Sequence, residues 1–109
     1  PEEEEEPFHA ELAAPEGAVT EGFATDVLAF EPDRPIELAF DNQDPGQSHN
    51  VQIFEGTDTT VTPVFAPADN ALINGVAEET YEVPALPAGT YTYNCFAHPA
   101  TMVGTLTVA

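Results

Sequence analysis

An all-β fold, a Greek-key antiparallel β-sandwich of seven to eight strands, is the architecture this sequence predicts. Three observations carry it: runs rich in β-branched and aromatic residues, turn residues between them at intervals of about 8–12 residues, and a high content of helix breakers. The 109 residues include 11 Pro and 7 Gly, which leave little room for helix. In chain order the strand-like runs are 23–30, 36–40, 50–54, 61–65, 80–83, 90–95 and 105–108. Alternation of period two, expected of a strand with one buried face, is clearest at Val51 and Ile53 and again at Tyr91, Tyr93 and Cys95. A chain of this length buries about two-thirds of its unfolded surface, enough for one core without covalent staples. The start is different in kind. PEEEEEP is a run of like charges between prolines, which repel one another and bury nothing, so residues 1–8 read as an acidic linker or tail and 9–109 as a single domain.

The segment richest in chemistry is NCFAHPATMVGTLTVA at residues 94–109. It places a thiol (Cys95), an imidazole (His98) and a thioether (Met102) in one short loop that runs into a strand-like tail. Taken singly, a lone Cys is ordinarily a buried apolar residue and a lone Met fills a core. Their coincidence is what matters: the chain's one Cys and one Met lie seven positions apart, and between them stands one of its three His. Pro99 biases His98 towards extended backbone, hence towards a loop. With His49 upstream, the set is two imidazoles, one thiolate and one weak thioether, the donor set of a mononuclear blue-copper site able to hold Cu(II) and Cu(I) in nearly one geometry. A single Cys excludes an internal disulfide and any binuclear copper centre bridged by two thiolates. His9 has no ligand spacing around it and is expected at the surface.

Two segments, FDNQDPGQSHNVQIFEG at residues 40–56 and VPALPAGTYTYNCFAHPATMVGTLTV at 83–108, together resemble the cupredoxins, the plastocyanin- and azurin-like blue copper proteins. The resemblance runs from about Thr25 to the C-terminus. It implies a cupredoxin-like sandwich with one copper near one end, ligated by His49, Cys95, His98 and Met102. It further implies that Asn50 ties the two ligand segments together, that Ser48 offers a backbone carbonyl as a distant axial contact, and that His98 meets solvent within an apolar rim of Pro45, Gly46, Ala97, Pro99, Ala100 and Val103. The loop spacing, Cys-x2-His-x3-Met, falls between the shorter amicyanin-like and longer plastocyanin-like loops. LPAGTY at residues 86–91 looks like a tyrosine corner, with the Tyr91 hydroxyl bonding back to upstream backbone.

Charge limits the partners. Twenty Asp and Glu face one Arg and no Lys, a formal net charge of −19, which repels nucleic acid and anionic membranes. Such a charge serves either to steer a basic redox partner, for example a c-type cytochrome, or to keep the protein soluble in a saline habitat. The acids are spread along the chain. No apolar run approaches the ~18 residues of a membrane span, so no direct membrane insertion is expected. The chain opens on Pro1 without a basic and apolar leader, so a removed leader or upstream anchor, or a longer parent chain, is expected. The reading is a non-enzymatic electron-transfer protein, extracytoplasmic, that cycles copper between redox proteins, including a membrane oxidase or reductase. Two alternatives use the same residues. A copper-delivery protein would exchange its metal readily, and a thiol enzyme would use Cys95 as nucleophile with His98 or His49 as base. The second lacks a Gly-rich oxyanion loop and an evident orienting carboxylate in the sequence.

Overall fold

The computed structural model describes residues 7–109; the glutamate run expected to form a linker lies outside the described residues. In chain order the strands are β1 (Phe8–Ala14), β2 (Val27–Phe30), β3 (Ile36–Asn42), β4 (Ser48–His49), β5 (Gln52–Glu55), β6 (Ile73–Asn74), β7 (Ala77–Val83), β8 (Gly89–Asn94) and β9 (Val103–Val108). One helical turn, α1 (Ala18–Glu21), separates β1 from β2, and a 3-10 turn covers Ala68–Asn70. The strands form a three-stranded sheet in the order β1-β3-β7, a four-stranded sheet β2-β9-β8-β5, and a two-stranded ribbon β4-β6.

The predicted sandwich is therefore present, with differences that have physical causes. The sheets are mixed: β1 lies parallel to β3 and β2 parallel to β9, while the remaining pairs are antiparallel. A parallel pair needs a crossover between its strands, and for β1 and β3 that crossover contains β2, which belongs to the opposite sheet. Strand direction of this kind leaves no mark on turn residues or alternation. Phe8, grouped with the tail on sequence, instead opens β1 and pairs with Ile36. Residues 61–65 are loop, touching β5 only through the Ile53–Phe65 bridge. Val61 and Val64 are exposed there and only Phe65 turns inward, half-buried against Tyr81, so the run lacks the alternating buried face of a strand.

The core fills the space between the sheets, mostly with alternate residues of the strands, as in β3 and β9. β3 gives Ile36, Leu38 and Phe40, β8 gives Tyr91 and Tyr93, and β9 gives Leu106 and Val108. Phe23, before β2, packs edge-on against Phe40 at 6.4 Å and tilted against Tyr93 at 5.4 Å between ring centroids. Two phenols lock loops to this frame. The Tyr91 hydroxyl donates to the Pro87 carbonyl at 2.6 Å, forming the expected corner, and the Tyr93 hydroxyl donates to the Thr25 carbonyl at 2.6 Å.

Gly104, paired with Tyr93 across β8 and β9, makes that second lock possible. A Cβ at position 104 would overlap the Tyr93 ring and hydroxyl and press on the Asp26 carbonyl. Gly104→Ala is expected to displace Tyr93 from Thr25 and to cost about 1–3 kcal/mol, as overpacked cores do. Thermal unfolding would read this as a fall in Tm of about 4 °C or more; an unchanged Tm would show that the ring relaxes freely.

Candidate metal centre

The sandwich brings both ligand segments to one end. His49 closes β4, held by pairing with Ile73 of β6, and Cys95 directly follows β8. Between Cys95 and β9 the chain folds back on itself: His98 N donates to Cys95 O (3.2 Å), Met102 N to His98 O (2.9 Å), and Cys95 N to Met102 O (3.0 Å). Thr101 Oγ1 adds a bond to the Val19 carbonyl of α1. The loop is thus fixed at both ends by adjacent strands and at its far side by a helical turn.

His49, Cys95 and His98 meet there, with one donor atom from each lying within 4.8 Å of the others. The Nδ1 atoms of His49 and His98 each lie 3.8 Å from Cys95 Sγ. Cys95, His49 and Met102 are fully buried, whereas His98 is half-buried. This spacing is a test of fit. With a metal–sulfur bond of about 2.3 Å, metal–nitrogen bonds of about 2.0–2.1 Å and trigonal angles of about 120°, sulfur and nitrogen would stand about 3.8 Å apart. The residues present therefore fit one ion among them. Thiolate and imidazole without a carboxylate, next to a buried thioether, are donors suited to copper in both redox states.

The surroundings orient these donors. Asn50 Oδ1 accepts from the Phe96 amide at 2.8 Å, while its Nδ2 donates to the carbonyls of Ala71 (3.3 Å) and Asn70 (3.4 Å). One buried amide so joins the His49 segment, the Cys95 loop and the turn before β6. Ser48 is half-buried and its hydroxyl bonds Asn74 Oδ1 at 3.3 Å. His9 stands at the surface beside Glu37, 3.1 Å from its carboxylate.

Sequence reasoning missed two residues. Asp44 is buried, and its Oδ2 lies 2.8 Å from His49 Nε2. Burial acts to raise the Asp44 carboxyl's pKa, but hydrogen bonds from His49 and from the Gly17 amide hold it below the ordinary carboxylate value. A ligating His commonly gives its second ring nitrogen to a carboxylate, but nothing in the sequence marks which of the twenty acids does so. Phe96 is the other: half exposed, it joins Ala97, Pro99, Ala100 and Val103 on the surface beside His98, with Pro45 and Gly46 also exposed. Phe96 follows the buried Cys95 just beyond β8, and nothing in the sequence places it outward. Asp44 also supplies the orienting carboxylate that the thiol-enzyme alternative lacked in sequence. Cys95 is nonetheless 0% exposed, which gives a substrate no direct access to its thiol.

The fold is shared with solved copper proteins. Reduced auracyanin from the photosynthetic bacterium Roseiflexus castenholzii is 24% identical, with 93% of this chain and 96% of that one covered at a TM-score of 0.73. Auracyanin A, a blue copper protein of Chloroflexus aurantiacus, is 23% identical over 95% of this chain and 100% of its own, with a TM-score of 0.75. A copper nitrite reductase from Nitrosomonas europaea, 18% identical, matches 94% of this chain but 41% of its own, with a TM-score of 0.67. No curated protein sequence matches the chain. The family model described as copper binding proteins, plastocyanin/azurin family, matches residues 19–109. The chain therefore belongs to the plastocyanin/azurin family of copper-binding proteins, and copper is its cofactor.

Proposed function

We propose that the protein is a type 1 copper electron carrier in which His49, Cys95, His98 and Met102 hold one copper ion. The observation that supports this most is the convergence of two imidazole nitrogens on one buried thiol, 3.8 Å from each, inside a loop closed by Met102. Copper bound there would supply a one-electron Cu(II)/Cu(I) couple, able to accept an electron from a reducing redox protein and give it to an oxidising one with no bond made or broken.

The chain's own residues do the rest. Cys95 would offer the strong thiolate donor, His49 and His98 their imidazole nitrogens, Met102 a weaker thioether, and Ser48 a backbone carbonyl. Asn50 keeps the two ligand segments in one relation, so little rearrangement accompanies a change of charge. Half-buried His98, rimmed by Phe96, Ala97, Pro99, Ala100 and Val103, gives a partner a close approach that strips water from few charges. Such a partner is a redox protein, either a basic c-type cytochrome or a membrane oxidase or reductase, met outside the cytoplasm. No helix among the described residues is long and apolar enough to cross a membrane. A carrier is favoured over an oxidase or reductase because those activities need further copper ligands, and His9, exposed and beside Glu37, does not supply them. Full burial of Cys95, His49 and Met102 favours retention of the metal over delivery; copper that stays stoichiometric in the presence of a chelator would bear this out, and ready loss would support delivery.

Visible and electron paramagnetic resonance spectra of the copper-loaded protein test the assignment. Cys95→Ser is expected to keep the sandwich and lose the intense thiolate charge-transfer band, and a variant that stays coloured would place the chromophore elsewhere. Met102→Leu is expected to raise the reduction potential by removing a donor to Cu(II); an unchanged potential would make Met102 core filler.

The net charge of −19 yields a further expectation. If the acids steer a basic partner, stopped-flow electron transfer to a cationic cytochrome should slow steeply as salt shortens the Debye length from about 10 Å at 0.1 M to about 3 Å at 1 M. An anionic partner should show the opposite trend, and a flat profile would leave solubility as the role of the charge.

A further inference from the structure

Asp44 is 4% exposed in a chain whose formal net charge is already −19. A buried carboxylate is costly unless its lone pairs are filled, and here the described partners are all N–H groups: Gly17 N at 3.0 Å on Oδ1, the Ala18 amide, and His49 Nε2 at 2.8 Å on Oδ2. The turn that carries Asp44 does not need the carboxylate for its own shape. Asp44 N donates to Asn42 Oδ1 (3.0 Å), Gln47 N to Asp44 O (3.1 Å), and Gly46 N to Gly75 O (3.1 Å). Gly75 has no room for a Cβ, which would overlap the Asp44 carbonyl, so the backbone is clamped from both sides.

We propose that Asp44 is a positioning residue that commits His49 Nδ1 to the metal and, through its buried charge, biases the copper couple towards the oxidised state; this rests on the copper assignment above. By accepting the Nε2 proton's hydrogen bond, the carboxylate leaves Nδ1 as the free donor, the atom that faces Cys95 Sγ. It also makes the imidazole a stronger donor. The charges add to this. Thiolate and carboxylate together bring two negative charges, which balance Cu(II) and leave one in excess with Cu(I). In the dry end of a sandwich that difference is poorly screened, so the oxidised ion gains more from Asp44 than the reduced one. His98 has no such partner among the described residues, and the two imidazoles are therefore inequivalent.

Asp44→Asn keeps the side chain's size and removes its charge. In the copper-loaded full chain, spectroelectrochemistry is expected to show the Cu(II)-to-Cu(I) affinity ratio falling about tenfold, a rise in potential of about 59 mV for one electron. A rise corresponding to threefold or more supports the proposal; a smaller rise or a fall overturns it. Pulsed electron paramagnetic resonance on the unsubstituted protein serves even where that variant fails to fold. Two distinct quadrupole couplings for the remote ring nitrogens are expected, one for a carboxylate-bound imidazole and one for the other, and identical couplings overturn the proposal. A blue copper signal in the unsubstituted protein together with a failed Asp44 result removes this inference alone. Absence of that signal removes the carrier assignment and this inference with it.

Discussion

The centre depends on one buried amide. Asn50 sits between a strand that ends in one imidazole and a loop that carries the thiol and the other imidazole, and it bonds to both the loop and the turn before β6. A buried polar group left unsatisfied costs about 1–3 kcal/mol, so the bonds that Asn50 makes are strongly preferred over any arrangement that breaks them. The consequence is geometric. The segments bearing His49 and Cys95 are 46 residues apart in sequence, yet their backbones are held to one relation by a 2.8 Å bond.

The sheets make that relation rigid. Cys95 leaves β8 and Met102 enters β9, which pair along Gly89–Asn94 and Val103–Val108. A loop whose two ends belong to neighbouring paired strands has little freedom to open, and the Cys95 N to Met102 O bond continues the ladder one step into it. Beneath it lies the aromatic packing of Phe23, Phe40 and Tyr93. A close-packed interior of this kind resists volume change, which suits a centre that must change charge without changing shape.

Charge is divided between the outside and this end of the molecule. The surface acids are hydrated and screened by salt, so they act only weakly on the metal end of the molecule. Asp44 is different in kind, because burial removes the screening and hydrogen bonds fix its position. Of the chain's twenty acidic residues, at least this one is buried against an imidazole instead of lying in solvent.

Composition and pattern were enough for the fold class and for proposing a donor set. Pro and Gly punctuation with period-two runs forces strands, and Cys95, His98 and Met102 declare themselves because all three lie within one eight-residue loop. Local signals of that kind survive in a linear string. The parallel pairing of β1 with β3 and of β2 with β9 did not, because direction is set by which sheet the intervening strand joins, and no residue encodes that locally. Residues 61–65 show the converse: the propensity for a strand is present, but β5 offers them a single bridge and only Phe65 packs inward. Asp44 was invisible for a related reason. Among twenty acids it looks like the others, and only the fold, by clamping its turn beneath Gly75 and against Gly17, turns one of them inward to His49.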